Sequence, residues 1–319
     1  MSSRVAADIA ATRSGRVIAV VSRSGNGGGG AVEGDRQPRV YRTVTELLRH
    51  EAVDVAYVGS PNALHAGQAG QFVAAGCHVV CDKPIATSGD DALALAAAAS
   101  AAGVRLTTNF QARHHPVGRW LRTEIESGSI GAVESVRVDL GLGFEALEGW
   151  RAVPRLAGAG AVFNLGQHAY DLVRFLSISD VETVDAVVEP AGRGALDRTA
   201  VAVCRLRSGA LATMSVSQEY AVENIRMEVR GAAGVASWTG WLAPYRSGVA
   251  SISTAAGTRR RTSSCPDAYA RLVRAVADAI AAGTEPDPGP RDAVEAVRIA
   301  EAILRSGRER REVRIPALA

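Results

Sequence analysis

Lysine is almost absent from this chain of 319 residues: of 36 cationic side chains, Lys83 is the single lysine and the other 35 are arginine. Arginine stays charged in a protein, whereas a lysine ammonium is a compact point charge whose pKa burial can lower. A lysine retained against that bias is the first candidate for a chemical role. Aromatic residues are few, at 5%, and there are four cysteines, Cys77, Cys81, Cys204 and Cys265. That number in a chain this long implies no disulfide framework. Long apolar runs are missing as well. The most apolar stretch, 92–104, is broken by Ser100 and Gly103 and falls short of the roughly 20 residues that span a bilayer. The N-terminus has no apolar core followed by a cleavage site, so a cytoplasmic address and no membrane partner are expected. Nor is there a large excess of one charge: 36 cationic against 33 anionic residues leave +3. A surplus that small does not argue for nucleic acid, and the arginine clusters at 259–261 and 305–311 read as solvated surface.

What is present is an ordinary globular composition, 47% apolar and 22% charged, long enough for two domains at roughly 150 residues each. From Arg16 to Thr108, short β-branched runs (16–21, 54–58, 78–82, 104–108) alternate with helical stretches (43–50, 63–75, 90–102). That order predicts an α/β unit with a parallel sheet over residues 1–113. Beyond it, helices at 117–127 and 162–176 flank a strand at 133–142. A run of strands follows (181–188, 199–207, 210–219, 224–231, 235–239), then helices at 266–282 and 291–305. This predicts an α+β domain over 114–319 with a large, mostly antiparallel open sheet.

Ligands of an open parallel sheet bind beyond the carboxyl ends of its strands. Those ends read Ser22-Arg23-Ser24, then Gly59-Ser60-Pro61-Asn62 with His65, then Asp82-Lys83-Pro84, then Asn109 to Arg113. The lone lysine thus sits at a strand end, followed by a proline that takes the backbone out of the sheet. In the second half, Gly158-Ala159-Gly160 precedes a predicted helix whose apolar stripe is Val162, Leu165, Ala169, Leu172, Val173 and Leu176. Asn164, His168 and Asp171 fall at i, i+4 and i+7 on another face. A histidine there is a candidate for proton transfer, although on spacing alone a histidine satisfied at a domain interface is the favoured reading. Two patterns mislead. Residues 25–30 formally satisfy G-x-G-x-x-G, but the following segment, with Gly34 and Pro38, opens no helix to hold a pyrophosphate, so the stretch reads as a loop. Cys77, His78 and Cys81 lie on a strand, where residues four apart are separated by about 13 Å, so no metal is expected there.

With these residues assembled, the chain resembles the Gfo/Idh/MocA family of nicotinamide-dependent oxidoreductases. The resemblance rests on 55–65 (VAYVGSPNALH), 75–84 (AGCHVVCDKP), 113–116, 128–131, Trp150-Arg151 and 158–171 (GAGAVFNLGQHAYD). It implies a Rossmann domain and an open-sheet domain that mediates homo-oligomerisation, with hydride exchanged between NADP or NAD and a secondary alcohol of a sugar or polyol. The family's E-K-P signature falls on Asp82-Lys83-Pro84, its catalytic lysine on Lys83 and its catalytic histidine on His168. Its usual aspartate is replaced by Asn164, which cannot titrate. The resemblance further implies cofactor contacts from Ser22, Arg23, Ser24, Ser60, Pro61, Asn62, His65, Asp82, Lys83 and Arg113. Lys83, Trp150, Arg151, Asn164 and His168 would meet the substrate. A same-fold glycosidase with transient oxidation and a cofactor-free sensor remain alternatives. If 16–21 is the second strand of the domain, its end carries two hydroxyls, a guanidinium and no carboxylate, which predicts NADP over NAD. The first strand and its phosphate loop are then missing. Val5, Ala6, Ile9 and Ala10 have the spacing of the helix after that loop, so the reading frame is expected to extend upstream by about a dozen codons or more.

Overall fold

The computed structural model describes Val5, Ile9, Thr12, residues 15–22, 37–143, 147–190, 196–240, Leu242 and 247–318. The chain divides into two compact units that are discontinuous in sequence. One takes 1–86, 90–111 and 267–294, the other 87–89, 112–266 and 295–319.

The first unit is α/β, with five short parallel strands in two sheets among the described residues. β1 (Ala19–Val21) pairs with β2 (Arg39–Tyr41), and β3 (Val55–Val58), β4 (His78–Cys81) and β5 (Leu106–Thr108) form the other sheet in that order. Among the described residues no ladder joins β1 to β3. The helices α1 (Val44–His50), α2 (His65–Ala74) and α3 (Gly89–Ala101) lie between strands as expected. Thr43 caps α1 by accepting the Glu46 N–H at 3.1 Å, a cap contributing about 1 kcal/mol. A later helix, Ala268–Ala282, also belongs to this unit. Its Leu272 and Val276, with Ile280, cover Val80 of β4 and Tyr57 of β3. Past its end, Arg105 donates to Glu285 at 2.9 Å and to the Gly283 carbonyl, and Thr107 Oγ1 donates to the Pro288 carbonyl at 2.6 Å. A single cut after residue 113 therefore does not describe the chain, because this helix needs the parallel sheet to cover its apolar stripe.

Among the described residues, the second unit is built on nine strands ordered β13-β12-β11-β10-β6-β9-β8-β7-β14, antiparallel except for the parallel β6–β9 pair. They are β6 (Val133–Gly143), β7 (Val181–Pro190), β8 (Asp197–Leu206), β9 (Leu211–Ser217), β10 (Glu219–Gly231), β11 (Gly234–Thr239), β12 (Ser247–Thr254), β13 (Gly257–Ser264) and β14 (Val313–Arg314). Period-two alternation sorts β8 into two faces: Ala200, Ala202, Cys204 and Leu206 are buried, while Val201, Val203 and Arg205 are exposed. The helices of this unit are α4 (Pro116–Glu126), α5 (Pro154–Ala157), α6 (Ala161–Asn164) and α7 (Gly166–Ser177). With 268–282 numbered α8, α9 (Pro290–Glu309) begins in the first unit and continues in the second. β2, β12, β13 and β14 are strands that the sequence pattern did not mark. β13 runs GTRRRTSS with almost every side chain exposed, so no apolar alternation marks it.

One arginine of the 259–261 cluster does more than face solvent. Arg259 grips Glu124 of α4 through both carboxylate oxygens, at 2.7 and 2.5 Å. Ser129 Oγ and Trp120 Nε1 donate to the same carboxylate at 2.6 and 2.9 Å. Donation from Arg259 first, then from Ser129, holds the Glu124 carboxyl down at about 2 against its ordinary 4.5. A carboxylate whose pKa is lowered by folding stabilises the fold above its unfolded value, and that stability is lost as pH falls through the folded one. Denaturant unfolding from pH 6 down to pH 2 should therefore show a loss of stability below about pH 4.5 that is reduced in Glu124→Gln. An identical acid limb in both proteins would contradict this.

Candidate active site

In the first unit the polar residues cluster at the carboxyl ends of β3, β4 and β5. Asp82 follows β4 directly, its N–H bonded to the Val58 carbonyl at 2.7 Å, and its side chain accepts the Lys83 N–H at 2.9 Å. That contact fixes the backbone from which the half-buried Lys83 side chain leaves. His65, 1% exposed, opens α2 and places its two ring nitrogens 2.6 Å from the Pro84 carbonyl and 2.7 Å from the Ser60 carbonyl. It ties the loop after β3 to the loop after β4. Asn62 begins the 3-10 turn before α2 and is buried, and Pro61 accepts the Leu64 N–H to close that turn at 2.8 Å. Asn109 Nδ2 donates to the Tyr57 hydroxyl at 3.3 Å, and burial, reinforced by the Asp82 charge, raises the Tyr57 pKa well above its ordinary value. Ser60 Oγ, Thr108 Oγ1 and Asn109 Oδ1 are buried with no hydrogen-bond partner among the described residues. Buried orphans cost about 1–3 kcal/mol each, and their concentration at the strand ends fits a polar ligand such as a dinucleotide there. Ser22 ends β1, bonded through its N–H to the Tyr41 carbonyl at 2.8 Å. Arg23 and Ser24 lie outside the described residues.

In the second unit, Asn164 and His168 sit on either side of a break in the helix. The expected single helix over 162–176 is two, α6 ending at Asn164 and α7 starting at Gly166. A glycine is needed at the start of α7, because a Cβ on residue 166 would lie 2.1 Å from the Tyr170 hydroxyl. The start of α6 is equally constrained. The Asp197 carboxylate accepts the N–H groups of Gly160 at 2.6 Å and Val162 at 2.8 Å, while a Cβ on residue 160 would lie 1.8 Å from the Asp197 carbonyl oxygen. Burial raises the Asp197 pKa, and the backbone donors oppose the rise. Asn164 Nδ2 donates to Gln218 Oε1 at 2.7 Å, and the His168 N–H reaches the Leu165 carbonyl at 3.1 Å. Neither Asp197 nor Gln218 carried a mark in the sequence; they lie 35 or more residues from the atoms they hold.

His168 and Asp171 both lie in α7, three residues apart, and the break separates Asn164 from the two of them. Every residue of α7 is buried, and Asp171 is paired with Arg113, whose Nε lies 3.0 and 2.9 Å from the two oxygens and whose Nη2 lies 2.7 Å from one of them. The same guanidinium lies 5.0 Å from the Phe175 ring centre. Arg113 is thus placed in a buried ion pair of the second unit. Trp150 and Arg151 lie on a short 3-10 turn (Gly149–Ala152), with the guanidinium 4.4 Å from the indole centre.

A parallel-sheet unit with polar strand ends, continued by a unit with a large open sheet, defines the class of two-domain dinucleotide-dependent oxidoreductases. Comparison with known proteins makes the class specific. Residues 1–110 match the family model for the oxidoreductase family NAD-binding Rossmann fold, and 119–237 that for the GFO/IDH/MocA C-terminal domain. The chain is 30% identical to 1,5-anhydro-D-fructose reductase of Ensifer adhaerens over 69% of its own length and 67% of the relative's. It is 28% identical to D-xylose 1-dehydrogenase (NADP(+)) 2 of Haloferax volcanii over 84% and 82% of the two chains. The crystal structure of an oxidoreductase domain protein from Kribbella flavida superposes with a TM-score of 0.81 at 25% identity, covering 88% of this chain and 84% of that one. The chain belongs to the Gfo/Idh/MocA family of oxidoreductases.

The ion pair yields a test that separates architecture from cofactor contact. Removing one partner of a buried pair strands the other charge and costs about 3–5 kcal/mol. Urea unfolding of Arg113→Leu should show a loss of that size. Unchanged stability with weakened NADPH binding would instead place Arg113 on the cofactor.

Proposed function

We propose that this oxidoreductase exchanges a hydride between NADP and a secondary alcohol or ketone of a sugar or polyol. The observation that carries the reading is Lys83, the chain's only lysine, half-buried at the carboxyl end of β4 on a loop fixed by Asp82 and His65. The sugar-directed names of the Ensifer and Haloferax relatives support the substrate class. When bound, the nicotinamide supplies a two-electron hydride acceptor or donor.

The roles of this chain's residues follow from their chemistry. His168 takes the hydroxyl proton as the alcohol is oxidised, since an imidazole is the side chain suited to accept a proton near neutrality. Lys83 stabilises the developing alkoxide by a charge-assisted hydrogen bond, worth most where water is excluded. Asn164 orients substrate and holds no proton to transfer. Ser60, Pro61, Asn62 and Asp82 would hold the dinucleotide, with Ser22, Arg23 and Ser24 at its ribose. His65 has both ring nitrogens within bonding distance of carbonyls, so its contribution runs through the two loops it ties. Trp150 and Arg151 would meet the sugar. The open face of the nine-stranded sheet shows Val187, Val201, Val203 and Leu211, with Val187 directly opposite Val201. An apolar surface of that kind fits a second copy of the chain.

Two measurements test the reading. Lys83→Arg keeps the charge but replaces a compact ammonium by a planar fork, so turnover should fall by at least about a hundredfold with the unfolding midpoint unchanged; near-normal turnover removes Lys83 from the mechanism. Fluorescence titration with both reduced cofactors should show tighter binding of NADPH than of NADH, since Ser22-Arg23-Ser24 after β1 supplies a guanidinium for a 2′-phosphate and no carboxylate to bind a 2′-hydroxyl. Tighter NADH binding would overturn the NADP assignment.

A further inference from the structure

A carboxylate taken out of water resists ionisation unless donors surround it. Asp197, buried at the start of β8, is such a group. One of its oxygens accepts the Gly160 N–H at 2.6 Å and the other the Val162 N–H at 2.8 Å, so both ends of the carboxylate are committed to one turn of backbone. Main-chain hydrogen bonds carry that anchorage onward. The Gly160 carbonyl accepts the Asn164 N–H at 2.8 Å, the Ala161 carbonyl accepts the Leu165 N–H at 2.9 Å, and the Leu165 carbonyl accepts the His168 N–H at 3.1 Å.

We propose that Asp197 is a positioning residue, one that holds Asn164 and His168 in the reacting arrangement only while its carboxylate is ionised. Resting on the functional reading above, this gives Asp197 a role through other residues rather than by contact with sugar or cofactor. Both oxygens face N–H groups, so a carboxylic hydrogen on either one meets a donor and displaces it. Local order and global stability separate at this group. Burial raises its pKa above the ordinary 3.8 while the backbone donors oppose the rise. A group shifted that way favours folding when protonated, and the contribution is lost as pH rises through the folded value. The anion therefore orders α6 without adding to the stability of the fold, the reverse of Glu124.

The ionisable groups on the surrounding elements are few. α6 and β9 carry none. On α7, burial first and the Asp197 charge second raise the Tyr170 pKa well above its ordinary value, while Asp171 is paired with Arg113 and Arg174 with Asp180. On the strands, burial pushes the Cys204 thiol up to about 12, and Arg198 donates to Glu219 and Glu189. Neither phenol nor thiol changes charge in acid. Below neutrality the groups that do are Asp197, His168 and the paired carboxylates.

The reduction direction separates Asp197 from His168. With His168 as proton donor, reducing a ketone needs the protonated imidazole, whose fraction only grows as pH falls, whereas positioning needs the Asp197 anion. The kcat for NADPH-linked reduction of 1,5-anhydro-D-fructose should therefore decline on the acid side, between neutrality and the onset of unfolding. Asp197→Asn fixes the neutral state. At neutral pH its kcat should be roughly tenfold lower, without the acid limb and with the KM for NADPH and the urea midpoint close to wild type. Asp82, next to Lys83, and Asp171 are unchanged in that variant, so a limb due to either would persist. A second arm is independent of catalysis: in backbone amide NMR spectra of the wild type, the Gly160 and Val162 signals should shift together with the midpoint of the limb, a step missing in Asp197→Asn. Amides that hold their positions across that range, a wild type without the limb, an Asp197→Asn enzyme of normal turnover, or one that loses stability in step with activity would each overturn the proposal. If the variant does not fold, the wild-type limb and amides decide alone. Wild-type protein that neither reduces 1,5-anhydro-D-fructose nor oxidises D-xylose overturns the functional reading instead, and the amides still decide whether this carboxylate governs α6.

Discussion

The second unit depends on one residue of β8. Asp197 uses its side chain to hold the Gly160 and Val162 N–H groups and its main-chain oxygen to hold Gln218. The first contact starts the four-residue helix that ends in Asn164; the second reaches Asn164 through Gln218. A helix that short has little intrinsic stability, since nucleating one turn is unfavourable, so an external acceptor for its first N–H groups is what keeps it. The carboxylate is buried for this purpose, at a cost visible in its raised pKa, and the backbone donors offset part of that cost.

The first unit solves a comparable problem with His65. Loops leaving a parallel sheet carry carbonyls that the ladder no longer satisfies, and the imidazole lies between those of Ser60 and Pro84. The loops after β3 and β4 are thereby held together, and Lys83 is held with them. In both units, buried polar side chains away from the reacting groups set the backbone from which those groups project, which is how a site gains precision without adding to its own contacts.

How much of this was legible in the sequence follows from the range of each interaction. Four of the parallel strands and the helices between them announce themselves through β-branched runs and apolar stripes within ten residues, and the structure contains them with changes at their ends, whereas β2, three residues long, was not read from the sequence. Lys83 stood out because composition isolates it. The break at Leu165 was invisible because the apolar stripe runs through it without interruption. β13 escaped because its exposed side chains have no reason to alternate. The roles of Asp197 and Gln218, and the packing of α8 on the parallel sheet, depend on contacts between distant segments, and no local pattern encodes them. Asp171 keeps its helical spacing from His168, and what no periodicity announces is its partner, a buried guanidinium 58 residues away in sequence.

The central claim is that a hydride passes directly between a sugar carbon and the nicotinamide ring. The most direct measurement is a single turnover with D-xylose and levoglucosan carrying deuterium at each carbinol carbon in turn, using NADP+ and in parallel NAD+, followed by mass spectrometry of the reduced cofactor. Deuterium from one carbon, delivered to one face of the ring and undiluted by solvent protons, is the predicted result. Reduced cofactor without the label, or no reduction of either cofactor by either sugar, would contradict the account.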